Sequence, residues 1–283
     1  MDAWNAFHRL FHALSNYQGH AVFAEVLEPW LSEHNDAREW LLLLGQREGN
    51  PVPPIEVEES WTLYALARGL DLLLREEVPI SLEEYAAFAE ALGMTVLKPQ
   101  QFSPFYHEVV RVERAASPFS PVAIVEFEWP CVMLGNMMVS RAGVRVSAGA
   151  QLLVAGIADA STLYWTYLQS NRPHQDLSHG WGRNSQWRTE FRRDFVVGDT
   201  FYFNVDGKKD LASDDDDDDD ESGLTHGERV ELVTHRCFVR CGKPHDDLWP
   251  YDDRLVQRAS PASGEVGITR KNSLFSRLFS RAG

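Results

Sequence analysis

One segment near the middle of the chain concentrates residue types that can do chemistry. Within it, His174, Asp176 and His179 supply two imidazoles and one carboxylate within six residues. Such a set can bind zinc or iron if the loop folds back on itself, although short His/Asp clusters more often cap the backbone in solvent. One hypothesis is therefore a metal-dependent hydrolase with these three ligands and with Glu190 or Asp194 as the base.

The same segment is rich in arginine and tryptophan. Its arginines could form a surface that binds a nucleotide or an acidic peptide, and Trp181 and Trp187 could offer flat faces for stacking. Alternatively, Trp187 and Phe191 are core anchors one helical turn apart, and the arginines pair with nearby carboxylates. We expect a binding surface on which Arg183 and Arg192 are exposed. Its candidate residues are His174, Asp176, His179, Trp181, Arg183, Asn184, Arg188, Glu190, Arg192, Arg193 and Asp194.

A second set of possible zinc ligands is His235, Cys237, Cys241 and His245. On a strand, however, Cys237 and Cys241 would lie about 13 Å apart at about 3.3 Å per residue, too far for one tetrahedral ion. We therefore expect small apolar thiols packed in or beside a sheet. The sequence also contains none of the common phosphate-cradling or protease motifs. We expect no bound cofactor.

The chain is acidic. Its formal net charge is −15, of which the acidic run Asp214–Glu221 supplies −8, so the rest of the chain carries −7. An acidic surface repels nucleic-acid backbones at long range and attracts basic partners. We expect no generic nucleic-acid binding. The preferred hypothesis is a protein-interaction module that docks on a basic protein and neutralises it.

The cysteine content and the hydropathy of the chain predict where in the cell the protein lies. The chain has three cysteines, which cannot all pair with one another, and its N-terminus lacks the basic start and apolar run of a secretion signal. These features predict a cytoplasmic protein. The longest apolar runs, such as Leu152–Ala158, fall far short of the ~20 residues that cross a bilayer. We expect no transmembrane segment.

The elements that must position these residues begin with a helical region, residues 1–97. Apolar residues recur there at helical spacing. Ser81 followed by Glu84 predicts a capping box at the start of one helix, and Gly93 is the expected end of that helix.

Residues 98–250 are expected to form an antiparallel β-rich region with an acidic loop at 213–222. Short runs rich in β-branched and aromatic residues alternate there with Pro, Ser and Gly. We predict a helix over Ala150–Leu168 and a flexible C-terminal tail over 251–283. The fold class is therefore α+β, a helical N-terminal region followed by a mainly antiparallel β region. The predicted strands are Glu108–Glu113, Val122–Trp129, Val139–Val146, Phe195–Val205 and Arg229–Val239.

Overall fold

The computed structural model describes residues 3–47, 52–166, 172–174, 190–212, 223–243 and 252–259 of the 283-residue chain. Within these ranges, helices form the N-terminal part and mainly antiparallel sheets form most of the remainder. The predicted α+β class is therefore confirmed. No helix in the described ranges is long and apolar enough to cross a membrane.

The N-terminal helices follow the predicted pattern. The first helix buries an apolar stripe that includes Phe7, Leu10 and Leu14. The backbone N–H of Glu84 donates to the Ser81 hydroxyl, and the Glu84 carboxylate accepts from the backbone N–H of Ser81, so the predicted capping box is present. The helical elements are α1 (Ala3–Ser15), a π-helical turn (Phe23–Leu27), α2 (Glu28–Glu33), α3 (Asn35–Gly45), α4 (Val57–Leu73), α5 (Leu82–Ala91) and α6 (His226–His235).

The described strands form two sheets. The larger sheet has the order β1-β4-β5-β7-β8-β10-β9, and the smaller sheet has the order β2-β6-β3, in which β2 and β6 are parallel. The strands are β1 (Thr95–Leu97), β2 (His107–Arg114), β3 (Ala123–Trp129), β4 (Cys131–Leu134), β5 (Met137–Ser140), β6 (Ala142–Ala148), β7 (Asp194–Val197), β8 (Thr200–Phe203), β9 (Lys209–Asp210) and β10 (Asp253–Arg258).

Apolar residues of the larger sheet contribute to two cores. Val132, Leu134 and Val139 pack with the buried faces of the N-terminal helices in one cluster. Cys131 and Met138 pack in a second cluster with residues of the smaller sheet. Because strand side chains alternate between faces, β4 and β5 supply residues to both clusters. The larger sheet therefore lies between the helices and the smaller sheet.

The predicted strand Arg229–Val239 is wrong, because most of this segment is helix α6. Its β-branched residues favoured a strand, but a capping box upstream decides the local structure. Thr225 accepts from the backbone N–H of Glu228, whose carboxylate accepts from the backbone N–H of Thr225. The helix ends at Arg236, which has the left-handed conformation at φ +61°.

The predicted helix over Ala150–Leu168 is also wrong over its described part, which forms turns. Asp159 explains part of this difference, because its carboxylate accepts hydrogen bonds from the backbone N–H groups of Gly156 and Val112. Such side-chain bonds to the backbone compete with helix formation. Gly156 itself has φ +82°, which a right-handed helix cannot contain.

Residues Asp253–Arg258 of the predicted tail form a strand instead. β10 pairs antiparallel with β8 and parallel with β9. Asp253 at its start is buried and forms an ion pair with Arg229 of α6, so this segment connects the sheet to the helix. The acidic loop and residues 260–283 lie outside the described residues.

Candidate functional site

Asp194, the first residue of β7, is the centre of a buried charge network. Its side chain is completely buried and forms ion pairs with three arginines. The distances from guanidinium nitrogen to carboxylate oxygen are 2.8 Å for Arg192, 3.2 Å for Arg236 and 3.5 Å for Arg141. The backbone N–H of Asn204 also donates to this carboxylate, at 2.7 Å. We call Arg141, Arg192 and Arg236 the arginine cluster.

The three residues of the arginine cluster come from different parts of the fold. Arg141 lies between β5 and β6, Arg192 precedes β7, and Arg236 caps the C-terminus of α6. Arg141 donates to the carbonyl of Thr234, and Arg192 donates to the carbonyl of Val233. The last carbonyls of a helix lack partners within the helix and carry partial negative charge. The cluster therefore donates hydrogen bonds to carbonyl groups at the C-terminal end of α6 and also forms ion pairs with Asp194.

The cluster retains donor capacity that the described part of the chain does not use. Arg141, Arg192 and Arg236 are only 2%, 4% and 7% exposed. Among the described residues, no hydrogen-bond acceptor is present for Nε and Nη1 of Arg141, Nη1 of Arg192 or Nε of Arg236. A buried N–H group without a partner costs about 1–3 kcal/mol, and more when the group is charged.

The pKa values of the two buried carboxyl groups of the network are shifted in opposite directions. Burial alone would raise the pKa of Asp194, but the charges of the arginine cluster outweigh it and lower that pKa to about 2. Burial raises the pKa of Glu108, and the surrounding arginines only partly oppose this shift. Burial also lowers the pKa of Arg192, to about 10, which leaves it protonated at neutral pH. Three guanidinium groups therefore share the one carboxylate, Asp194, with which they form ion pairs.

A small cavity lies against the arginine cluster. Its enclosed volume is 20 Å³, which is room for about one water-sized group. The aromatic ring of Trp165 covers the Arg192 guanidinium at 4.2 Å, a cation–π contact. The cavity is lined by the arginine cluster together with Tyr64, Ala67, Arg68, Asp71, Glu108, Val139, Ser140, Trp165, Thr166, Glu190 and Phe191.

Strained backbone conformations also occur beside the arginine cluster. Trp165, Asn204 and Arg236 are the non-glycine residues with positive φ in the described ranges, at +61°, +50° and +61°. Each contacts the network: Trp165 through Arg192, and the other two through Asp194. Such conformations cost about 1–3 kcal/mol each and are concentrated at functional sites.

The structure brings some of the predicted site residues together and separates others. Glu190 and Arg192 line the cavity, and Asp194 anchors its arginines. Arg193 does not line this cavity, and it donates hydrogen bonds to Asp206 and to the carbonyl of Pro53 instead. The prediction that Arg192 is exposed is wrong, because Asp194 and the end of α6 hold it in the interior.

His174 lies in a different groove, which it shares with Arg172 and Asp159. Its proposed metal partners Asp176 and His179 lie outside the described residues. Among the residues that are described, no group of three or more His, Cys, Asp or Glu side chains could hold a metal ion. The other residues of this segment that were singled out from the sequence and lie outside the described ranges are Trp181, Arg183, Asn184, Trp187 and Arg188.

The second predicted set does not have the strand geometry that we assumed for it. His235 ends α6, where burial lowers its pKa to about 3. Cys237 is a buried free thiol, as the alternative to zinc binding predicted. Cys241 is partly exposed, and its thiol donates to Glu228. His245 lies outside the described residues.

Sequence reasoning missed Arg141, Arg236 and Glu108 as site residues. Each was assigned to a predicted strand, where charge is normally solvated. One signal was present: Arg141 stands beside small and apolar residues in the strand predicted over Val139–Val146, and a charged side chain that becomes buried must find a partner. Comparisons with protein-family models, curated proteins and solved structures found no match for this chain.

Proposed function

We propose that this protein is a binding module that takes an anionic group, such as a carboxylate or a phosphate, into the arginine cluster. The observation that supports this proposal is the unused donor capacity of three buried guanidinium groups around one ionised carboxylate. An oxyanion would complete the hydrogen bonding of these groups. Arginine is suited to this role because its planar donors match carboxylate and phosphate oxygens.

The dimensions of the cavity restrict how such a ligand binds. The enclosed space accepts one small group, so the oxygens of the anion enter and the rest of the ligand stays outside. Trp165 borders the cavity, is half-buried, and offers aromatic surface to the part that stays outside. An acidic side chain of a protein partner meets both requirements. This proposal keeps the hypothesis of a protein-interaction module and gives it a location.

A binding role agrees better with the lining than hydrolysis does. Among the described residues, the lining contains neither histidine nor cysteine, so Ser140 has no imidazole there to activate it. The metal-dependent hydrolase remains a hypothesis that depends on Asp176 and His179. Docking on a basic protein remains a further proposal, supported by the charge of −7 outside the acidic run.

Thermal melting with simple anions tests the arginine site. Sodium phosphate and sodium acetate are compared with sodium chloride at equal ionic strength. We expect phosphate or acetate to raise the melting temperature, because a ligand at 100 times its Kd stabilises by about 2.7 kcal/mol. For a chain of this size, each kcal/mol corresponds to about 2–4 °C. Equal melting temperatures in all three salts would contradict the proposal.

Two variants separate this site from general salt effects. Arg236→Lys keeps one positive charge but removes the planar fork of donors, so the response to phosphate and acetate should be lost. Arg254→Gln is the control, because Arg254 is 44% exposed and pairs with Asp210 away from the cavity. Its response should equal that of the unmodified protein. Denaturant unfolding of both variants verifies that each is folded.

A further inference from the structure

A second pocket, formed by α1, α3 and α4, combines tryptophans with acidic residues. Trp4, Trp40 and Trp61 line a cavity of 340 Å³, and Glu58 and Glu59 border it. None of these residues lines the cavity of the arginine cluster. We call it the tryptophan pocket. It contains three of the nine tryptophans of the chain.

Packing positions two of the rings. Trp4 stacks on His8, with ring centroids 5.4 Å apart and an angle of 14° between the rings. Trp40 packs against Phe7 at 6.5 Å. All three tryptophans are half-buried, so each keeps part of its ring surface in contact with solvent. Large aromatic rings held in this way at a concave surface are typical of binding sites.

Apolar residues extend this surface beyond the cavity. Leu43 lies three residues after Trp40 in α3 and is 67% exposed. Val57 lies four residues before Trp61 in α4 and is 50% exposed. Residues three or four apart share one face of a helix. Each helix therefore presents an exposed aliphatic side chain on the face that carries its tryptophan, and a protein partner could cover both side chains.

The charge at the pocket is negative. Glu56, Glu58 and Glu59 are the cap and first-turn carboxylates of α4, and together they outweigh the partial positive charge of the helix start. Glu59 forms an ion pair with Arg47, whose hydrogen bonds lower the pKa of this carboxyl group. The Glu58 side chain is exposed and lies at the rim. One carboxylate is therefore in position to face a bound cation.

We propose that the tryptophan pocket binds the methylated ammonium group of a lysine side chain from a protein partner. Tryptophan faces attract cations through the ring quadrupole, and aromatic cages favour methylated ammonium because it is easily desolvated. Glu58 supplies the counter-charge. Leu43 and Val57 favour a cation carried by a protein over a free small amine, because a small amine would leave them uncovered. This proposal is independent of the arginine cluster.

Titration with small probes tests this proposal directly. The probes are Nα-acetyl-trimethyllysine methylamide, its neutral isostere with a tert-butyl group in place of trimethylammonium, and choline. Binding is followed through the indole N–H resonances of Trp4, Trp40 and Trp61 in the intact protein. We expect the cationic lysine probe to bind about tenfold more tightly than the neutral isostere, equivalent to about 1.4 kcal/mol. Equal affinity of these two probes would overturn the proposal.

Charge-matched variants provide the second comparison. Glu58→Gln removes the rim carboxylate and should weaken the cationic probe several-fold, with no effect on the neutral isostere. Glu39→Gln removes an exposed charge from α3 outside the pocket lining and should change neither affinity. Both positions are solvent-exposed, so both variants should fold. Equal effects of the two variants, or tighter binding of choline than of the lysine probe, would contradict the proposed ligand.

Discussion

Replacing Asp194 with Asn should destabilise the protein strongly although the side chain barely changes shape. The substitution removes the carboxylate with which Arg141, Arg192 and Arg236 form ion pairs. The cationic groups cannot move to water, because each is buried. An asparagine oxygen can still accept from the backbone N–H of Asn204, so the main loss is electrostatic.

Two estimates of the stability lost in Asp194→Asn give similar values. The pKa of Asp194 is about 2 in the folded protein and about 3.9 in an unfolded chain, and this difference corresponds to about 2–3 kcal/mol in favour of the charged form. Removing one partner of a buried ion pair costs about 3–5 kcal/mol. We therefore expect Asp194→Asn to lower the free energy of unfolding by about 3 kcal/mol.

Urea denaturation at pH 7, followed by circular dichroism, measures this change. Asp252→Asn is the matched control, because Asp252 is 60% exposed and pairs with Lys208, which is 84% exposed. That exposed pair should contribute at most about 0.5 kcal/mol. An Asp194→Asn variant that unfolds within about 1 kcal/mol of the unmodified protein would refute the view that the cluster depends on this carboxylate.

The pH dependence provides an independent test of the same argument. The folded pKa of Asp194 is depressed, so its contribution is complete above about pH 4 and is lost as the pH falls towards 2. The stability difference between the unmodified protein and Asp194→Asn should therefore shrink over this range. A difference that stays constant from pH 7 to pH 2 would exclude ionisation of Asp194 as its cause.

Three further predictions concern Arg192, His235 and Gly135. Arg192→Ala should lower the free energy of unfolding in urea by about 3–5 kcal/mol, because it removes one of the ion pairs of the buried Asp194. A loss below about 1 kcal/mol would instead support the exposed Arg192 that the sequence predicted. Burial lowers the pKa of His235 to about 3, so stability should fall as the pH drops from about 6.5, and His235→Asn should weaken this dependence measured by melting between pH 5 and pH 7. Gly135→Ala should lower the melting temperature by several degrees, because Gly135 has φ +58° and a Cβ there would lie 2.2 Å from the Gly45 carbonyl oxygen; an unchanged melting temperature would show that this loop can move.

The fold class and the first helices could be predicted because their signals are local. The apolar stripe of α1 repeats at helical spacing, and Ser81 with Glu84 satisfies the free N–H groups at the start of α5. Gly93 adopts φ +82° just after that helix, as its role at the helix end requires. Each of these features depends on residues within a few positions, so the order of residues is sufficient to predict it.

Helix α6 could have been predicted by the same local logic. Thr225 and Glu228 form the same type of capping box as Ser81 and Glu84, but the β-branched residues that follow favoured a strand. β-propensity mainly reflects packing on a half-buried surface, so it is weak evidence against a cap. The turns after Ala150 were harder to predict, because Asp159 bonds to Val112, a residue distant in the sequence.

The sequence by itself determined the α+β class and the first helices, and it drew attention to the segment around Arg192 and Asp194. Only the tertiary structure decided that these two residues are buried and that Arg141 and Arg236 join them from other parts of the chain. The physical reason is solvation. A side chain's charge is known from its type, but its energy depends on whether water or distant residues surround it, and folding alone determines those surroundings.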